Sequence, residues 1–180
     1  MGRRRPDVRP GPTVDRLLRI AAEAPELYEE DGVGTVLATA SLRDFVEQAW
    51  QIVVPESFQS NYHIDAVCEH LQALFLLQIR DLLITIPPRF GKSTSACVML
   101  PAWGWARDPT IRLLFSSYAQ ELATRDSVLT RRLVDSPWYQ ARWGGRFQIV
   151  TDQNEKTRFD NDEGGVRIAL SSGSHVLGEG

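Results

Sequence analysis

The residues of this chain best placed to do chemistry are Gly91, Lys92 and Ser93, inside the stretch LLITIPPRFGKSTSA at residues 82 to 96. A Gly-Lys-Ser run between an apolar strand and a helix is how a phosphate-binding loop finishes. In such a loop consecutive backbone N–H groups turn inward at the positive end of the helix dipole and cradle an anion. The Lys92 ammonium then reaches the β and γ phosphates of a nucleotide, the Ser93 hydroxyl ligates Mg²⁺, and Gly91 lets the backbone approach closely. The usual pattern, G-x-x-x-x-G-K-[ST], carries an earlier glycine, and Ile86 stands in its place. That glycine serves the turn out of the strand. Pro87 and Pro88 set a turn by another route, fixing φ near about −65° at two successive positions. The plainer alternative is a helix cap, but the strand before the tripeptide and the helix after it favour a variant phosphate loop.

Arg89 lies within the same loop. Its guanidinium either stays in solvent or forks onto the γ phosphate, where it would stabilise transition-state charge in cis.

Other chemistry-bearing residues are weaker candidates. Asp152 follows the apolar tetrad FQIV but precedes turn residues, so a hairpin turn is favoured over a Mg²⁺ ligand. His63, Cys68 and His70 share one predicted helix, where Cys68 fits the apolar face and core packing is favoured over zinc. Trp103, Trp105, Trp138 and Trp143 suit a core or an interface better than base stacking. Arg125, Arg131 and Arg132 lie on one helix, either as a solvated face or with one reaching a neighbouring subunit's nucleotide.

Several elements must position the loop. Residues 1 to 12, with four arginines and three prolines, read as a disordered basic arm. Residues 13 to 40 read as a helical extension, in which a helix over 13 to 30 is broken by EEDGVG. Ser41, with Asp44 three residues on, caps the next helix, whose apolar face is Leu42, Phe45, Val46, Ala49, Trp50 and Val53. Pro55 ends it, and another begins near Asn61 with Ile64, Val67, Cys68, Leu71, Leu74 and Phe75 on one face. LLITI reads as a strand buried on both faces. A helix from Ser93 towards Trp105 follows and is kinked by Pro101. IRLLFSS is a second core strand, and a helix from about Ala119 to Val134 turns Leu122, Leu129 and Leu133 inward. From Phe147 the pattern becomes short strands (FQIV, TRFDN, VRIAL, HVL) joined by turns. The order predicts an α/β layered fold, P-loop NTPase-like, with a mostly parallel central sheet flanked by helices and incomplete at the C-terminus.

The totals agree with one medium domain. The chain has 180 residues, 43% apolar and 24% charged, with a net charge of −3, so composition carries no global nucleic-acid signal. Nothing approaches a membrane span or a signal peptide, and the two cysteines suit a reducing cytosol.

Taken in order, these segments resemble the N-terminal packaging ATPase of the large terminase subunits of tailed bacteriophages. PPRFGKS is similar to that family's variant loop, P-P-R-x-G-K-[ST]. NYHIDAVCEHLQAL resembles the helix before the loop strand. PAWGWARDP, LLFSSYAQELATRDS and DSPWYQARWG resemble the elements after it, and DQNEKTRFDNDEGGVRIALSSGSHVLGEG the hairpins that lead to an acidic strand. The likeness covers about residues 41 to 180, a partial P-loop ATPase domain.

The resemblance implies an ATPase that uses ATP and Mg²⁺ to drive double-stranded viral DNA into a procapsid. The implied nucleotide-binding set is Pro88, Arg89, Phe90, Gly91, Lys92, Ser93 and Thr94, with Arg89 and Lys92 catalytic and Ser93 on the metal. The stretch from Phe58 to His63 is implied loosely at the adenine. Implied partners are the portal protein, the small terminase subunit and further copies in a ring, with no membrane, in the cytoplasm of a bacterial host. The family's acidic pair and its nuclease domain fall beyond Gly180, so the resemblance implies a catalytically silent chain as it stands. A superfamily-2 helicase-like translocase and an inactive terminase remnant are the competing expectations.

Overall fold

The computed structural model describes residues 30–150 and 156–171. The basic arm, all but the last residue of the helix expected over residues 13 to 30, Asp152 and the HVL strand lie outside the described residues.

The first described helix corrects an expectation. The EEDGVG stretch does not break the chain, because α1 (Glu30–Ala40) runs through Gly32 and Gly34. Each glycine costs a helix about 1 kcal/mol against alanine. Tertiary contacts offset that cost. Ala38 is fully buried and its carbonyl accepts from Trp103 Nε1 at 3.0 Å. The Gly34 carbonyl accepts from Gln48 Nε2 at 3.1 Å, and the Thr39 carbonyl from Arg107 at 2.9 Å.

Helix α2 (Leu42–Val53) opens as the sequence predicts, with the Asp44 N–H donating to the Ser41 hydroxyl and Leu42, Phe45, Val46 and Ala49 buried. Helix α3 (Tyr62–Phe75) buries Ile64, Val67, Cys68 and Leu71. After the loop, a helix runs without a break from Lys92 to Arg107, first as a π-helical segment (Thr94–Met99) and then as α4 (Leu100–Arg107). Strand β1 (Arg112–Ser117), α5 (Gln120–Val134), α6 (Pro137–Trp143), β2 (Arg158–Asp160) and β3 (Val166–Ser171) complete the order.

The mostly parallel central sheet is the larger correction. The described residues hold six α-helices and one three-stranded mixed sheet of order β1-β3-β2. β1 pairs with β3 in parallel, with Leu114 opposite Ile168, while β2 pairs with β3 antiparallel, with Phe159 opposite Arg167. The LLITI segment is extended but joins no strand. A tight turn lays β2 directly on β3, and β3 occupies one edge of β1, so a local hairpin builds the sheet instead of the loop segment. Asn161 fixes that turn: its side-chain oxygen accepts from Gly165 N at 2.8 Å, and its amide donates to the Pro109 carbonyl.

The core is aromatic. Trp103, Trp105, Tyr139, Trp143, Phe45 and Phe159 are all essentially inaccessible to solvent. Phe45 and Trp143 rings lie 5.6 Å apart, and Trp105 and Phe159 5.5 Å apart at right angles. Their polar atoms are satisfied, Tyr139 Oη by the Ala102 carbonyl at 2.8 Å and Trp143 Nε1 by Thr39 Oγ1 at 3.0 Å. Helix α5 differs from expectation on its inner face. Leu133 is buried, but its neighbours there are Ala123, Asp126, Ser127 and Thr130, with Leu122 and Leu129 only half-buried. No helix among the described residues is long and apolar enough to cross a membrane.

Candidate functional site

The loop is carried by an extended segment that alternates in burial. Leu82, Ile84 and Ile86 pack against the core, while Leu83 is 91% exposed. Pro88 and Arg89 then form a turn, and helix begins at Lys92. Two loop residues take left-handed backbone, Arg89 at φ 70° and Gly91 at φ 77°. Glycine enters that region freely, whereas for arginine it is uncommon and strained. The first helical bond runs from Ser95 N to the Gly91 carbonyl at 2.8 Å, so the amides ahead of Ser95 belong to the open N-terminal turn of the helix.

The loop rests on α2 and α3. An ideal Cβ on Gly91 would lie 3.4 Å from the Trp50 indole and 3.7 Å from the Ile64 methyl. The Phe90 ring meets the His63 ring edge-on at 5.1 Å, and Trp50 meets Phe58 at 5.4 Å. Both ends of the Phe58 to His63 stretch are therefore tied to the loop and its floor. Pro88, Arg89, Phe90 and Ser93 are exposed, and Gly91, Lys92 and Thr94 half-buried. Among the described residues, neither Arg89 nor Lys92 takes part in an ion pair. The arrangement offers helix N-terminal amides, one ammonium and one guanidinium to an anion, with a hydroxyl beside them.

Pro101 acts on this helix differently from a simple kink. Its ring clashes with the carbonyl four residues back, and it has no N–H to offer that carbonyl. The chain answers by widening: Leu100 N bonds to Ser95 O, five residues back, and Thr94–Met99 is π-helical. The Cys97 carbonyl, which Pro101 leaves without its normal donor, accepts instead from Arg167 Nη2 at 3.0 Å.

The remaining sequence candidates fall as follows. Cys68 is fully buried in the core, and burial pushes its thiol up to about 12. His70 Nδ1 contacts the Ala66 carbonyl at 2.7 Å, one turn back on its own helix. Trp103, Trp105 and Trp143 are core residues, and Trp138 packs against them while Arg142 stacks on its ring at 4.8 Å. Arg125 pairs with Asp126 at 2.8 Å and Arg131 with Asp135 at 3.4 Å. Arg131 and Arg132 line a cleft with Ser127, Lys156 and Phe159, separate from the loop.

Arg167 is the residue that sequence patterning missed. It is fully buried between the Phe115 and Phe159 rings, at 4.7 and 5.9 Å from their centroids. Alternation within VRIAL places it on the inner face, but nothing in the local sequence marks a buried cation. No family model, curated protein or solved structure matches the chain.

Proposed function

We propose that the loop from Pro88 to Thr94 binds the phosphates of ATP with Mg²⁺, and that the chain serves as the ATPase part of a viral DNA-packaging motor of the large-terminase kind. One observation carries the nucleotide reading: Gly91, Lys92 and Ser93 form the junction between an extended segment and an open helix N-terminus, with Gly91 in left-handed backbone. That geometry gives close backbone approach, free amides and a cation at one point, which a helix cap alone does not require. The motor reading rests on the ordered sequence segments, not on the sheet. It brings with it double-stranded DNA as substrate, the portal protein and small subunit as partners, and a ring of copies.

Titration with a Mg²⁺–ATP analogue tests the site. Lys92→Ala removes the cation aimed at the β and γ phosphates and should abolish binding, and Ser93→Ala should remove the Mg²⁺ dependence. Unchanged affinity in Lys92→Ala would sink the nucleotide reading. Ile86→Gly should bring no gain, since Pro87 and Pro88 already set the turn. Turnover stimulated by double-stranded DNA supports the motor, whereas stimulation by single strands alone would favour a helicase-like translocase.

A further inference from the structure

Arg167 is a buried cation with one hydrogen bond. Its Nη2 donates to the Cys97 carbonyl, while Nε and Nη1 are buried with no hydrogen-bond partner among the described residues. Among the described residues it makes no ion pair, and the nearby Asp126 carboxylate is paired instead with Arg125, whose Nε and Nη2 donate to its Oδ1 at 3.0 and 2.8 Å. Burial pulls its pKa down to about 10, an effect only partly offset by Cys97 and Asp126. Two aromatic faces and a single carbonyl repay only part of the cost of burying such a group, which points to a contact that is itself needed.

The carbonyl is unusual too. Pro101 denies it the ordinary helical donor, and the other side chain nearby, Thr130, has one hydroxyl proton for two acceptors. Thr130 Oγ1 lies 2.9 Å from the Asp126 carbonyl and 3.2 Å from that of Cys97, so the nearer one is favoured. Arg167 is thus the principal donor to Cys97. Cys97 stands five residues beyond Lys92, in the π-helical turn that follows the loop.

We propose that Arg167 is a positioning residue for the phosphate loop, tying the π-helical turn to β3 through the Cys97 carbonyl so that Lys92, Ser93 and the loop amides keep their place on α2 and α3. Its consequence for ligand binding rests on the nucleotide reading given above. The clamp joins β3 to the helix that begins at Lys92, so displacement of either element shifts the other.

Two measurements on the full chain test it, with Arg167→Met, Arg167→Lys and Thr130→Val. The first is backbone hydrogen exchange without nucleotide. In Arg167→Met the hydrogen-bonded amides of residues 95 to 99 should exchange at least about tenfold faster, while those of α2 and α6 keep the parent rates. Arg167→Lys still donates to the carbonyl and should stay within about threefold of the parent, as should Thr130→Val. The second is Mg²⁺–ATP analogue affinity, expected to fall about tenfold in Arg167→Met and to recover in Arg167→Lys. Exchange that is unchanged, or faster in every element alike, overturns the proposal. If Arg167→Met does not fold, Thr130→Val and Arg167→Gln decide: local exchange tenfold faster in Thr130→Val, or parent-like stability of the turn in an Arg167→Gln chain that folds, means that Arg167 is not the clamp. If the parent binds no nucleotide, the nucleotide reading fails while exchange still judges the clamp.

Discussion

The Trp50 indole lies 3.4 Å from the position that a Cβ on Gly91 would take, and Gly91 itself is in left-handed backbone at φ 77°. Two constraints act on one residue, and substitutions separate them. The space is tight but within ordinary contact, whereas left-handed backbone costs an ordinary L-residue about 1–2 kcal/mol. Conformation should therefore dominate. Gly91→Ala is expected to lower Tm by a few degrees, and Gly91→Asn by less, because asparagine tolerates that backbone despite its larger side chain. Thermal melts of both variants check this. A larger loss in Gly91→Asn would show that contact with Trp50, not φ, requires the glycine.

Arg89 presents the opposite case, a side chain kept in backbone that does not suit it, at φ 70°. Strain of this kind persists where a side chain is needed. Arg89→Gly should relieve about 1 kcal/mol and raise Tm, whereas Arg89→Ala keeps the strain and should not. If the guanidinium acts on the transferring phosphate, both variants lose turnover by a factor on the order of 10² with only a modest change in nucleotide affinity. Turnover and nucleotide affinity are to be measured side by side on both variants and the parent. Equal losses of binding and turnover would make Arg89 a ground-state phosphate clamp.

Helices α2 and α3 were legible in the sequence because their cause is local. Ser41 with Asp44, and the apolar spacing from Leu42 to Ala49, lie within one element and specify it. The start of the next helix at Lys92 was legible for the same reason, since Gly91, Lys92 and Ser93 are adjacent. The sheet was not, because pairing depends on partners distant in sequence: LLITI has strand composition, yet β1 pairs with β3 instead. The apolar run also concealed an alternation, with Ile84 inside and Leu83 in solvent. α1 was hidden by glycines whose cost is met by Trp103 and Gln48, far along the chain. Arg167 was hidden because its acceptor is set free by Pro101, more than sixty residues earlier.

Cys68 gives a pH dependence with a definite sign. Burial holds its thiol at about 12, above the ordinary 9, so the folded chain keeps the neutral form that the unfolded chain loses. The contribution is fully present below about pH 9 and is lost as pH rises towards 12, by about 1.4 kcal/mol per unit. Cys68→Ala lacks this term and leaves a cavity. Its stability deficit against the parent should be constant from pH 6 to 8 and shrink between pH 9 and 10.5. Urea unfolding of both chains measures it. A deficit that does not change with pH would mean that the thiol titrates in the folded chain much as it does in the unfolded one.

The extended segment from Leu82 to Ile86 leads to the last prediction. Among the described residues its backbone makes no hydrogen bond to other backbone, and the Leu83 side chain is 91% exposed. On the sheet, Leu114 is 58% exposed beside the half-buried Ile168. An unpaired extended backbone flanked by exposed leucine invites pairing with another chain, and a lysine on such an edge blocks it. Because Leu83 and Leu114 face outward, replacing either should alter folding stability by no more than about 0.5 kcal/mol. Leu82 and Ile84 pack against the core, so Ile84→Lys should unfold the chain and serves as the control. Sedimentation velocity over a concentration series should show the parent associating as concentration rises. Leu83→Lys should stay monomeric at concentrations where the parent does not, and Leu114→Lys should show a smaller shift in the same direction. An unaltered distribution in Leu83→Lys, with the parent associating, would place the contact away from this edge. A parent that stays monomeric throughout would mean that the open segment is no liability at all.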